Sequence, residues 1–143
     1  MIDRLLRLSP AERRLLPRLV LLLAAIRLSL WLVPFSLVRR LLRQRWLAAA
    51  FPPGLVHAPA GRLAWAVHVA SRPVPAATCL TQSLALQFLL TRSGRPSSLR
   101  IGVAKNAQSG FLAHAWVDHC GQTLPDRPEE VARYTPLTSW EDK

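Results

Sequence analysis

Two residues of this chain have types and positions suited to nucleophilic catalysis. Cys79 begins the predicted helix CLTQSLALQFLLTRSG, and His114 follows in the alternating segment FLAHAWVD, which is typical of a β-strand. Unpaired backbone N–H groups and the helix dipole favour a thiolate at a helix start, and an imidazole on a neighbouring strand can accept the thiol proton. The pair predicts acyl transfer through a thioester.

The residue that orients the imidazole is predicted from the register of a hairpin. The segment HCG suits a three-residue loop with Gly121 in the left-handed conformation. That register pairs Trp116 with Leu124 and His114 with Asp126. Because directly opposite residues have Cβ atoms ~5 Å apart, the Asp126 carboxylate is predicted to complete a Cys-His-Asp triad.

Asp118 is the rival for this role. It shares the strand face of His114 but lies four residues away along the same strand, roughly 13 Å at about 3.3 Å per residue. That distance excludes it. Pro125 makes the strand of Asp126 an edge or frayed strand, because proline cannot donate to a ladder.

The oxyanion of the acyl-transfer intermediate needs hydrogen-bond donors. The backbone N–H of Cys79 or Leu80 is the predicted donor, and the side chain of Gln82 or Trp65 is a candidate for a second one. Trp116, on the strand face of the imidazole, is predicted to wall the substrate channel.

Other interpretations of these residues stay open. A lone cysteine is most often a small buried hydrophobe, and a lone strand histidine is usually structural. A metal site built from Cys79, His114, His119 and Cys120 is disfavoured, because two of these residues lie in the turn and none has zinc-finger spacing. The predicted chemistry uses no metal and no cofactor.

The elements around these residues predict an α+β fold. Thr78 is a plausible N-cap, and Gly94 and Pro96 supply the usual signals for the helix end. Apolar residues on several sides of this helix predict a central helix packed against a sheet. The segments SLRIGVA, GFLAHAWVD and QTLPD predict strands, whereas residues 127–143 give mixed helical and loop signals.

Composition limits the functional class. The net charge is +11, but residues 1–46 contribute +8 of it, so the basic character belongs mostly to one segment and nucleic-acid binding is not predicted. Two cysteines without close spacing and no recognisable secretory signal favour a cytoplasmic protein. A chain of 143 residues suits one compact unit, divided into a basic, apolar helical layer over residues 1–50 and a core over residues 51–143.

The helical layer begins with a capping box. Ser9 as N-cap and Glu12 predict a helix over residues 10–33, in which Pro17 imposes a kink or ends a short first helix. Pro34 begins a second predicted helix, PFSLVRRLLRQRWLAAA.

A membrane span is not predicted. Arg27 leaves uncharged pieces from Leu19 to Ile26 and from Leu28 to Val38, both shorter than the ~18 residues that spanning requires. The helices are predicted to pack on the core, and peripheral contact with a membrane or docking of a partner stays an alternative.

The segments SPAERRLL, CLTQSLALQFLLTRSG, LRIGV, HAWVD and LPD resemble the transglutaminase-like leader peptidases of lasso peptide biosynthesis. The resemblance extends from about Ser9 to Asp126. It implies a papain-like or transglutaminase-like cysteine protease fold, in which Cys79, His114 and Asp126 fall on the Cys-His-Asp triad of the family.

By the same resemblance, the substrate is a ribosomally made precursor peptide that is cut between leader and core. An ATP-dependent lasso cyclase then closes the ring on the freed core. Because the chain starts at the helical layer, it resembles the stand-alone protease, which needs a separate leader-recognition protein. A non-catalytic leader-binding or scaffold protein, and acyl transfer to an amine, remain the alternatives.

Overall fold

The chain folds into a group of helices followed by an antiparallel sheet. The computed structural model describes residues 10–56, 58–74, 78–106, 110–120, 122–124 and 134–142. The helices are α1 (Pro10–Leu32), α2 (Phe35–Leu41), α3 (Arg45–Ala50), α4 (Ala60–Ser71) and α5 (Cys79–Arg92), with a 3-10 turn at Pro53–Leu55. The strands are β1 (Ser97–Asn106), β2 (Gly110–His119), β3 (Gln122–Leu124) and β4 (Thr135–Asp142). The segregation of helices from strands confirms the predicted α+β class.

Helix α5 is the centre of the fold. The Thr78 hydroxyl caps it by accepting a hydrogen bond from the N–H of Thr81. Gly94, with φ of +76°, ends it, and the N–H of Arg95 donates to the carbonyl of Leu90 at 2.8 Å. Nine of its 14 residues are buried, because α1, α4, β1 and β2 all pack against it. The prediction of a central helix is confirmed.

Helix α1 continues through Pro17 as one helix of 23 residues. The predicted helix over residues 10–33 is therefore confirmed. Of the two effects predicted for Pro17, a kink or a short first helix, the structure excludes the short first helix. Proline removes one backbone hydrogen bond, whereas Leu15 and Leu19 on either side are fully buried in the core and hold both segments against it. The predicted cap at Ser9 lies outside the described residues.

An ion pair joins α1 to α4. The Glu12 carboxylate accepts hydrogen bonds from Nε and a terminal nitrogen of Arg62, at 2.7 and 2.9 Å. This bidentate geometry is the strongest form of such a pair. The hydrogen bond to Glu12 is the main reason that the pKa of Arg62 is raised above its ordinary value.

The segment after Pro34 forms two helices, and the prediction of one continuous helix is wrong. Gln44, between α2 and α3, has an extended backbone with φ of −68° and ψ of 140°. The sequence has no glycine or proline at this break. Packing accounts for it, since Val38 of α2 and Phe51 just after α3 are both buried in the core.

The sheet has the strand order β3-β2-β1-β4, and all neighbours are antiparallel. The edge strand β4 lies within residues 127–143, whose helical and loop signals are mixed. Its register shifts opposite Ile101 and Gly102, next to Pro136. A proline is tolerated at such a site because an edge strand needs fewer ladder donors.

The N-terminal helices also present apolar side chains to solvent. Leu21 is 72% exposed and Trp31 is 75% exposed. The segment Glu12–Leu32 has a mean hydropathy of 1.9 and, by length and composition alone, could cross a membrane. Its opposite side carries leucines of the central core, so α1 is an integral part of the fold.

Two substitutions in α1 test this packing. We expect Leu19→Ala to lower the free energy of unfolding by about 2–5 kcal/mol, because it removes a fully buried side chain. Leu21→Ala, two residues away on the exposed side, should change it by less than about 0.5 kcal/mol. Urea denaturation followed by circular dichroism measures both. Equal, small effects would contradict the packing of α1 on the core.

Candidate functional site

Cys79 is the first residue of α5 and is half-buried. The Thr78 carbonyl accepts the N–H of Gln82 at 3.0 Å, and the Thr78 hydroxyl accepts that of Thr81. The N–H groups of Cys79 and Leu80 belong to the first helical turn, which lacks intrahelical acceptors. The predicted position of a thiol beside potential oxyanion donors is confirmed, although their role in catalysis stays a prediction.

His114 lies in β2, opposite Gly102 of β1, within an aromatic cluster formed by His114, Trp116 and Tyr134. Ring centroids are 6.0 Å apart for His114 and Trp116, and 5.1 Å apart for His114 and Tyr134. The prediction that Trp116 shares the face of His114 is confirmed. Trp116 is buried behind the imidazole. Tyr134 was not found from the sequence, since it precedes the unpredicted strand β4.

The sheet has two chemically different faces. Val117 belongs to the same buried hydrophobic cluster as the leucines of α5, so its face packs on the helices. Because side chains alternate along a strand, His114 and Trp116 lie on the opposite face. Arg100 and Asp118 are on that face as well, with 2.5 Å between Nε and Oδ2.

Cys79 and His114 are on elements that contact each other, because α5 packs against β2. Both residues are described, and Cys79 forms no disulfide. The fold thus brings the two elements together. A catalytic pair of Cys79 and His114 stays a prediction.

The predicted hairpin register is wrong by one residue. Val117 pairs with Leu124, and only Cys120 and Gly121 separate the paired residues of β2 and β3. Cys120 has φ of +49°, as the first central residue of a tight two-residue hairpin requires. The observed register buries Leu124 against Val117, whereas a shift of one residue would turn Leu124 to the other face.

This correction removes the geometric argument that placed Asp126 opposite His114. Asp126 itself lies outside the described residues, and its catalytic role rests on the family resemblance. The exclusion of Asp118 as the orienting residue is consistent with its contacts. Its carboxylate lies against Arg100 and accepts a hydrogen bond from the Thr123 hydroxyl at 3.2 Å.

The side chains proposed to assist the oxyanion have defined surroundings. Gln82 is half-buried in the first turns of α5. Trp65 in α4 is half-buried, and the Arg62 guanidinium lies 4.2 Å from its ring centroid. Arg62 therefore contacts both Glu12 and Trp65. The sequence analysis did not identify Arg62, because it belongs to no recognisable motif. Within the described parts of the chain, no three His, Cys, Asp or Glu residues are grouped to hold a metal.

The chain matches a known protein family. The family described as Transglutaminase-like superfamily matches residues 20–139, which includes Cys79, His114 and Asp126. Comparisons with curated proteins and with solved structures gave no significant match.

Substitution of Gly102 tests the packing of the aromatic cluster. A Cβ at this position would lie 2.8 Å from the Trp116 ring and 3.0 Å from the Thr135 carbonyl oxygen. We expect Gly102→Ala to displace the ring and to cost about 1–3 kcal/mol of stability, as overpacking does. Gly61→Ala, where nothing lies within 4 Å, is the control. Thermal denaturation and tryptophan fluorescence report the two effects, and unchanged values for Gly102→Ala would contradict the close contact.

Proposed function

Because the chain belongs to the transglutaminase-like superfamily, we propose that it is a cysteine peptidase that removes the leader from a ribosomally synthesised lasso precursor peptide. The observation that carries this proposal is the position of Cys79 at the first residue of the buried central helix α5. A carbonyl that approaches this thiol also meets the N–H groups of the first turn. The lasso substrate is supported by the resemblance of the sequence segments.

In the proposed reaction, His114 takes the proton of the Cys79 thiol, and the sulfur attacks the carbonyl at the end of the leader. The N–H of Cys79 or Leu80 stabilises the resulting oxyanion, with Gln82 or Trp65 as a second donor. The C–N bond then breaks, and His114 gives its proton to the amine of the departing core peptide. Water, deprotonated by His114, hydrolyses the leader thioester and regenerates the thiol. Asp126 orients the imidazole.

The proposed peptidase acts with a partner. We propose that a separate leader-recognition protein presents the precursor to Cys79 and His114, and that binding of the precursor tightens the hydrogen bond between the two residues. Catalytic hydrogen bonds often tighten only in the substrate complex.

The proposed partners include this recognition protein and the ATP-dependent lasso cyclase, which consumes the freed core. Large exposed apolar side chains on the N-terminal helices, such as Leu21, Trp31 and Trp46, support contact with one of these proteins or with a membrane surface. The proposed location is the cytoplasm, and contact of these helices with a membrane is the alternative to contact with a partner protein.

The alternative is a non-catalytic leader-binding or scaffold protein. The two functions differ in thiol chemistry. If the chain is a peptidase, added hydroxylamine should attack the thioester between the leader and Cys79 in place of water. Mass spectrometry would then show the leader hydroxamate. A scaffold would give no such product. Formation of a stable amide with an added peptide amine would instead indicate acyl transfer to an amine.

Substitution of the two reactive residues tests the peptidase. We expect Cys79→Ala and His114→Ala to abolish cleavage of the precursor in the presence of the recognition protein, as read by mass spectrometry, while circular dichroism shows an intact fold. Cys120→Ala is the matched control, because Cys120 is the exposed second cysteine in the hairpin turn and should leave cleavage unchanged. Normal cleavage by Cys79→Ala would end the proposal.

The two aspartates separate orientation from structure. We expect Asp126→Asn to lower kcat by about 10²–10⁴-fold, since an amide holds the imidazole in the wrong tautomer. Asp118→Asn should retain most of kcat but lose stability, because the Asp118 carboxylate lies against Arg100. Single-turnover cleavage and thermal denaturation give the two quantities. If only Asp118→Asn lowers kcat, and its thermal stability is unchanged, then Asp118 and not Asp126 orients the imidazole.

A further inference from the structure

A cleft with three arginines lies apart from Cys79. It has a volume of about 290 Å³ and is bordered by α2, α3 and the part of α5 from Leu84 onward. Leu84 follows Cys79 by five residues and is thus about 7.5 Å away along the helix axis. Neither Cys79 nor His114 lines the cleft, which is therefore distinct from the proposed catalytic site.

Among the described residues that line this cleft, the ionisable groups are all positive. They are Arg39, Arg43 and Arg92, and the sequence contains no aspartate or glutamate between Glu12 and Asp118. Those two carboxylates pair with other arginines, Arg62 and Arg100.

The Nε of Arg92 donates to the Phe51 carbonyl at 3.0 Å, which holds the base of its guanidinium in place at the cleft. Guanidinium groups bind carboxylates in a planar, bidentate geometry. The cleft therefore complements an anion, and the Gln87 amide and the Thr91 hydroxyl add neutral hydrogen-bonding groups to its wall.

A second hollow adjoins the first. It has a volume of about 100 Å³, lies between α1, α2 and α3, and shares Leu42 with the arginine cleft. Its lining is almost entirely apolar, including Ile26, Val38 and Trp46, and the indole of Trp46 is 68% exposed. A ligand that carries an apolar group next to its carboxylate would fill both spaces.

We propose that these two hollows together bind an acidic peptide segment of a partner protein. A carboxylate of the segment pairs with the arginines, and a neighbouring apolar side chain packs between Leu42 and Trp46. Both hollows are concave and lie between helices, which suits an inserted side chain better than the broad surface of a bilayer. This site does not depend on peptidase activity.

The binding test uses a fluorescein-labelled peptide that alternates glutamate with leucine, titrated with the full chain and followed by fluorescence anisotropy. We use the Cys79→Ala variant, so that the result is independent of cleavage. A matched peptide with glutamine in place of glutamate should bind at least about tenfold more weakly. This change in affinity corresponds to the loss of one or more charge-assisted hydrogen bonds. Added salt should weaken the glutamate peptide, because exposed charges are screened.

Two neighbouring arginines provide matched variants. Arg43→Gln should weaken binding of the glutamate peptide about tenfold, because Arg43 lines the cleft. Arg40→Gln should change binding less than about twofold, since Arg40 is exposed on α2 and does not line either hollow. Trp46→Ala should weaken binding without altering its dependence on salt.

Three results would overturn the proposal. The first is equal binding of the glutamate and glutamine peptides, and the second is an equal effect of Arg43→Gln and Arg40→Gln. The third is sedimentation with phosphatidylglycerol vesicles that is lost in Arg43→Gln while the glutamate peptide fails to bind, which would assign the cleft to a lipid headgroup.

Discussion

Burial of α5 on nearly all sides is the constraint on which the rest of the structure depends. Leucines and a phenylalanine along this helix lie in the central core, where α1, α4, β1 and β2 meet them. A helix enclosed in this way has both ends fixed. Its first residue, Cys79, is held beside the unpaired N–H groups of the first turn, and its last turns form one wall of the arginine cleft. The same helix thus positions the proposed nucleophile and the proposed peptide site.

The sheet separates packing from chemistry. One face carries Val117 and Leu124 into the core, and the other carries the aromatic cluster with His114. Gly102 allows the Trp116 ring to approach the backbone of β1, which places the ring behind the imidazole. The rings of Trp116 and Tyr134 thus pack beside the His114 imidazole.

Charged residues are also unevenly distributed along the chain. The long interval without carboxylates leaves the helical layer rich in arginine, and Glu12 is the acidic residue that holds α1 to α4 through Arg62. Arginines near exposed apolar side chains suit contact with an acidic, partly apolar partner. The proposed peptidase would therefore combine a catalytic helix start with a separate docking surface at the other end of the same helix.

Local signals were sufficient for several elements. Thr78 and Gly94 marked the ends of α5, and alternation marked β1 and β2, because capping and side-chain periodicity depend on neighbouring residues alone. Cys79 and His114 were identified as candidates in the same way. The break before α3, the register of β3 and the existence of β4 were decided by tertiary structure. Each depends on which distant side chains become buried together, such as Leu124 with Val117, and that choice leaves no mark in the local sequence.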